Sequence, residues 1–161
     1  MSLKQVIVMR VWYPDGKGGW FKPPLGKLIA QGAHASMKVF FERAKLGVSW
    51  PAEHPEFPMA SYFEPGGNPE GDAEESLLVS PITEEMRDWF AGVFTKICVR
   101  ADSEEQLLDL YRQAQEAKIP CALITDNGTT VFKGVPTNTC IAIGPDYPER
   151  VDEITGDLKL L

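Results

Sequence analysis

Two histidines and three cysteines are all that this 161-residue chain offers toward a zinc site of the Cys/His kind. They show no CxxC or Cys/His spacing suited to zinc. GxSxG, HExxH and Walker signatures are absent too, which removes the familiar serine-hydrolase, zinc-protease and nucleotide-loop readings. Gly16-Lys17-Gly18-Gly19 is too short for a nucleotide loop and lacks the following Ser/Thr. No apolar run is long enough to span a bilayer, so no membrane association is expected. The first apolar run is broken by Arg10 and has no signal-peptide pattern, which makes the expected location cytoplasmic. Cys98, Cys121 and Cys140 sit in strand-like runs and read as reduced, mostly buried thiols.

Positive charge is scarce overall, with a net of −7. That balance alone argues against a nucleic-acid partner. Its distribution argues otherwise. Residues 1–50 hold eight Lys/Arg against two Asp/Glu, and the rest of the chain carries the acidic excess. A basic N-terminal stretch on an acidic body is compatible with a phosphate-binding face. Residues 51–81 contain six prolines, seven acidic residues and no Lys or Arg. They read as an irregular acidic, Pro-rich insert at about 49–82.

The remaining chain alternates strand and helix patterns. Lys4 to Val11 is a β-rich run, and Tyr13 to Leu25 reads as a loop from its Asp-Gly, Gly-Gly and Pro-Pro pairs. A helix opens at Gly26 and is expected to fade near Gly47. A short helix at 83–91 starts with Thr83 as a cap. A strand covers 94–100, and Ser103 with Gln106 marks the capping box of a longer helix. Pro120 introduces the strand CALIT, Asp126-Asn127-Gly128 is a turn, and Val131-Phe132 and 140–143 are further strand candidates ending at Gly144-Pro145. A last short helix is expected over 146–154. Strands separated by helices imply a single α/β domain with a mixed, partly parallel sheet and helices on both faces.

The segment GKLIAQGAHA, 26–35, carries the strongest functional signal. At ~100° per residue, Lys27, Gln31, His34, Lys38 and Lys45 fall within roughly 40° of one line. Ile29, Ala33, Phe40 and Ala44 lie opposite and are expected to pack on the sheet. His34 is thereby left available for recognition. Lys27, in the first helical turn, suits a phosphate or an oxyanion, though a solvated lysine is the plain alternative. Asp126 ends an expected parallel strand, where ligands of open α/β sheets gather, and Asp before Asn-Gly is also ordinary turn chemistry. Thr129, Thr130, Thr137 and Thr139 flank the bend at 133–136 and are either substrate donors or common strand residues. His54, in the insert, receives no role.

The blocks KQVIVMR, GKLIAQGAHAS, KICVRADSEEQLLDLYRQAQEAKIPCALITDNGTT, GVPTNTCIAIGP and ITGDLKLL together resemble the archaeal/eukaryotic-type peptidyl-tRNA hydrolase family. They stand in the family's order and cover roughly two-thirds of the chain. The resemblance implies a small α/β fold with a mixed four-stranded sheet, often a homodimer, and no metal or organic cofactor. It implies hydrolysis of the ester joining a peptide to the 3′ end of tRNA, with the tRNA acceptor end as partner. By position the functional lysine falls on Lys27, the helix glutamine on Gln31, the helix histidine on His34, the loop aspartate on Asp126 and the small hydroxyl residue on Thr137. Lys27, Asp126 and Thr137 are then the catalytic candidates. Gln31, His34, Lys38, Arg43, Lys45 and Thr130 are the substrate- and tRNA-binding candidates.

The chain departs from the family at Thr129, where a basic residue is usual, at Val131, usually polar, and at Val135-Pro136, usually Pro-Gly. Its insert also exceeds the usual short connection, which points to a bacterial or viral relative. These departures motivate two competing readings: a non-catalytic tRNA- or protein-binding module on the same scaffold, and a hydrolase of another acyl-tRNA.

Overall fold

The computed structural model describes residues 2–42, 44–48 and 76–161, with the backbone alone at 45–48 and 76–79. Its elements are β1 (Lys4–Arg10), β2 (Tyr13–Pro14), β3 (Trp20–Phe21), α1 (Leu25–Phe41), β4 (Lys45–Val48), β5 (Ser76–Val79), α2 (Glu84–Ala91), β6 (Thr95–Ala101), α3 (Glu104–Glu116), β7 (Cys121–Asp126), β8 (Thr137–Asp146) and α4 (Pro148–Thr155). The chain divides into two compact units, Met1–Val39 with Ile82–Leu161, and Phe40–Pro81.

In the first unit the sheet order is β6-β1-β8-β7. β1 and β6 are parallel, whereas β8 is antiparallel to both β1 and β7. This is the expected α/β architecture with a mixed four-stranded sheet. β1 and β8 are its interior strands and are buried along nearly their whole length, which is why both read as continuous apolar runs. On one face Val6, Val8, Ile141 and Ile143 pack with Leu107, Leu110 and Ala114 of α3 and Val151 of α4. α1 covers the other face, where Gly32 lies against Ile7 and Met9. Helices therefore occupy both faces.

α1 is pinned by polar groups as well as by apolar contact. Ser36 Oγ donates to Gln5 Oε1 at 2.6 Å, and Gln5 Nε2 donates to Gly144 O at 3.2 Å. All three side-chain groups are out of water, so their hydrogen bonds are strongly enforced. This fixes α1 in rotation and along its axis, which matters for the residues at its start.

The rotation differs from the expectation. Gln31, Gly32, Ala35, Ser36 and Val39 face the sheet, while Ile29 is 64% exposed and Ala33 is exposed. The buried arc lies about a quarter-turn from the Lys27–Gln31–His34 line rather than opposite it. Small residues win the inward positions because they allow close approach to the sheet, and Gln31 finds internal partners. α1 also ends at Phe41 rather than near Gly47, because 45–48 pair with 76–79 as an antiparallel ladder. Lys45 thus lies on a strand, not on the helix stripe. Within that second unit Ser80 Oγ also donates to Phe40 O. The middle of the expected insert, 49–75, and with it His54, lies outside the described residues, as does Arg43.

Other boundaries shift for local reasons. The loop expected at 13–25 contains the two-residue pairing of β2 with β3. Asp15 closes its turn by accepting from the N–H groups of Lys17 and Gly19 at 2.7 and 2.8 Å. Val131-Phe132 forms no strand, because Phe132 turns inward against Tyr13, with ring centroids 4.7 Å apart. β8 continues through Pro145 to Asp146. Ser103 caps α3 as expected, accepting from Gln106 N at 3.0 Å, but the glutamine Oε1 accepts from Asp102 N at 2.8 Å, one residue before the cap, instead of from Ser103 N. β7 pairs antiparallel with β8, not in parallel. Since β1 is also antiparallel to β8, the carboxyl ends of β1, β6 and β7 still share one edge. The thiols are free, but Cys98 is exposed and Cys121 half-buried, and Cys140 alone is buried.

Candidate active site

The start of α1 and the end of β7 meet at that shared edge. Lys27 Nζ lies 2.5 Å from Asp126 Oδ2, with the two side chains only 16% and 9% exposed. Gln31, one helical turn on, donates from Nε2 to the same oxygen at 2.8 Å. The i, i+4 spacing places both donors over one acceptor. Gly128 N supplies a third bond, to Asp126 Oδ1 at 2.9 Å. Lys27 also donates to Thr130 Oγ1 at 3.2 Å. Its ammonium lies 5.8 Å from the centroid of the Phe132 ring, which backs the pair.

Burial works to raise the Asp126 pKa. The Lys27 and Gly128 hydrogen bonds, the Lys27 charge and the Gln31 amide outweigh it and hold the carboxyl below its usual range. Asp126 is therefore a fixed anion. It is a poor proton acceptor but a firm anchor for a polar ligand.

A further residue organises this cluster. Thr139, wholly buried, donates from Oγ1 to Gln31 Oε1 at 2.6 Å, which aims the glutamine amide at Asp126. The register of β7 against β8 shifts between Ile124 and Thr125. This bulge lets consecutive residues reach α1, for Cys140 Sγ also donates to Gln31 O at 3.0 Å. Burial pushes the Cys140 thiol up to about 12, so it serves as packing and not as a nucleophile. Thr139 was legible only as one of four clustered threonines.

Thr137 sits opposite Asp126 across the ladder, but its hydroxyl donates to Val135 O at 2.8 Å. Lys38 donates to Leu123 O at 2.9 Å and so ties α1 to β7. His34 is exposed on the same helix edge. Of the sequence candidates, the structure thus joins Lys27, Gln31, Asp126 and Thr130 directly. Thr137, His34 and Lys38 are neighbours rather than members of that cluster.

The family model described as Peptidyl-tRNA hydrolase PTH2 matches residues 3–161. The chain belongs to that family. Some archaeal proteins named peptidyl-tRNA hydrolase are similar along nearly their whole length. One from Methanocaldococcus jannaschii is 29% identical over 159 residues, 99% of this chain and 100% of its own. One from Methanopyrus kandleri is 30% identical over 158 residues, 98% of this chain and 97% of its own. One from Staphylothermus marinus is 31% identical over 160 residues, 98% of this chain and 94% of its own.

Within this peptidyl-tRNA hydrolase family member, Arg10 and Glu104 also went unread as site neighbours in the sequence. Arg10 Nη1 meets Glu104 Oε2 at 2.8 Å, and Asn138 Nδ2 donates to Glu104 Oε1 at 2.9 Å. That clamp secures the entry to β8 just before Thr139. A lone arginine ending an apolar strand was its only signal, and no spacing links it to Glu104.

Proposed function

We propose that this protein hydrolyses the ester between a peptide and the 3′ end of tRNA. The observation that carries the reading is the half-buried Lys27–Asp126 pair, oriented by Gln31 and Gly128 at the start of a helix. Lys27 has three N–H groups. Two go to Asp126 and Thr130, and the third is free to meet the ester carbonyl and the oxyanion that forms there. Asp126 Oδ1 accepts one bond from Gly128 and keeps acceptor capacity for a water aimed at the carbonyl carbon. Attack forms the new C–O bond. The ester C–O bond then breaks, and the water's proton reaches the leaving ribose 3′-oxygen. Because the Asp126 pKa is held low, the carboxylate acts mainly by orienting the water.

The exposed His34 and the Lys38 ammonium lie along the same helix and suit the tRNA backbone, adding affinity without sequence selectivity. Among the described residues no helix is long and apolar enough to cross a membrane. A cytoplasmic location is part of the proposal, since a ribosomal product as substrate fits it. A homodimer is part of the proposal, checked by a sedimentation mass of two chains.

Turnover of N-blocked aminoacyl-tRNA, set against free aminoacyl-tRNA, tests the reading. Lys27→Ala is expected to lower kcat by about 10²–10³-fold, the usual cost of one oxyanion donor. Binding of tRNA with the blocked ester left intact would instead favour a non-catalytic module.

A further inference from the structure

Beside the Lys27–Asp126 pair an open cavity of about 720 Å³ separates the β2–β3 hairpin from the loop at 127–136. Phe132 links the two features: it lines the cavity and its ring backs the Lys27 ammonium. Thr137, across the ladder from Asp126, lines the cavity as well. The walls are mostly apolar and include Tyr13, Phe21, Phe132, Val135 and Pro136. Tyr13, Phe21 and Phe132 pack on one another with centroids 4.7 to 6.2 Å apart, so the aromatic wall is one continuous cluster.

The rim is charged, and its charges are unequally committed. Glu104 is held by Arg10 and Asn138. Asp15 is engaged by two backbone N–H groups, and its carboxyl also feels the positive charge of Lys133. Lys17 and Lys133 are both exposed. Neither has an ion-pair partner among the described residues.

An ester carbonyl has two arms, and they differ in chemistry. The peptide arm is neutral near the bond, so rim cations would give it nothing. The ribose arm brings a flat base and a phosphate, which match an aromatic wall and unpaired lysines. We propose that this cavity holds the 3′-terminal nucleotide of the tRNA, its base against Phe21, Phe132 and Pro136 and its phosphate between Lys17 and Lys133. The proposal rests on the peptidyl-tRNA hydrolase reading of the adjoining pair and names where its leaving group sits.

Titration of the full chain with adenosine 5′-monophosphate, followed by amide NMR, tests it without turnover. The amides of Phe21, Phe132, Lys133 and Val135 are expected to shift. The double variant Lys17→Ala/Lys133→Ala is expected to weaken that binding by about tenfold, the scale of one charge-assisted contact. The same variant should raise KM for blocked aminoacyl-tRNA by about tenfold while kcat stays within about twofold, as loss of uniform binding requires. The proposal is overturned if the nucleotide leaves these amides unmoved while blocked ester is still cleaved. It is equally overturned if N-acetyl-phenylalaninamide, a neutral mimic of the peptide arm, moves them instead. A chain that takes the nucleotide here yet cleaves no blocked ester would sink the hydrolase reading and leave the nucleotide site standing.

Discussion

Asp126 accepts three hydrogen bonds, two of them on one oxygen, and the consequences can be read as pH dependence. Its pKa is lower folded than unfolded, so the pair's stabilisation is fully present above the unfolded value. It is lost as pH falls through the lower folded value. In urea melts, Asp126→Asn should therefore cost stability at neutral pH, and the difference from wild type should vanish once the medium is acidic enough to protonate Asp126. The rate profile should show no acid limb from this carboxylate near the ordinary 3.8, because it stays ionised there. The two threonines of β8 separate just as cleanly. Thr139→Val strands a buried Gln31 oxygen and should cost about 1–3 kcal/mol in urea melts, with a fall in kcat as Gln31 swings free. Thr137→Val breaks only a hydroxyl bond to a nearby carbonyl in a half-buried position, and its stability should stay within about 0.5 kcal/mol of wild type. The sequence exposed Lys27, Gln31 and Asp126 through helical spacing and a strand-ending turn. It could not rank Thr139 above Thr137, since a β-bulge decides which hydroxyl reaches α1 and a bulge leaves no mark in residue type.

At the scale of elements, the strand–helix order and both capped helices were legible because each is set by local signals: β-branched runs, Thr83, Ser103, Pro120. The rotation of α1 was not. Periodicity identifies an apolar stripe, but Gly32, Ala35 and Ser36 are small, and a hydrophobic scale undervalues them against Ile29. Two glycines test this account with opposite signs. At Gly32 an added methyl would lie 3.6 and 3.7 Å from Ile7 and Met9, ordinary contact. Gly32→Ala should then be neutral or stabilising, by up to about 1 kcal/mol of helix propensity. Gly128 has φ +85°, and a methyl there would lie 2.5 Å from the Val135 backbone N and O. Gly128→Ala must displace the 127–136 loop and its N–H from Asp126, so it should lose stability and slow turnover together. Thermal melts paired with kcat distinguish the two sites. A Gly32→Ala variant that unfolds as readily as Gly128→Ala would mean that α1 does not pack on the sheet as described.

At the scale of the whole molecule, a net charge of −7 must coexist with a polyanionic substrate. The fold allows this by gathering cations at one edge, Lys27 at the start of α1, Lys17 in the hairpin and Lys133 in the loop after β7, with Lys38 about three turns further along α1. Lys27 is neutralised locally by Asp126, and one N–H of the Lys38 ammonium is taken by Leu123 O, so only two or three cations meet phosphates. The dependence on salt should accordingly be real but shallow. Two or three phosphate contacts correspond to a slope of log affinity against log salt of about −1.4 to −2.7. Raising salt from about 50 to about 200 mM should then raise KM for blocked aminoacyl-tRNA by roughly seven- to fortyfold, with kcat little changed. A flat KM across that range would mean that the acidic body cancels the basic edge. Recognition would then rest on uncharged contacts to the acceptor end, and the lysines of that edge would have no part in holding tRNA.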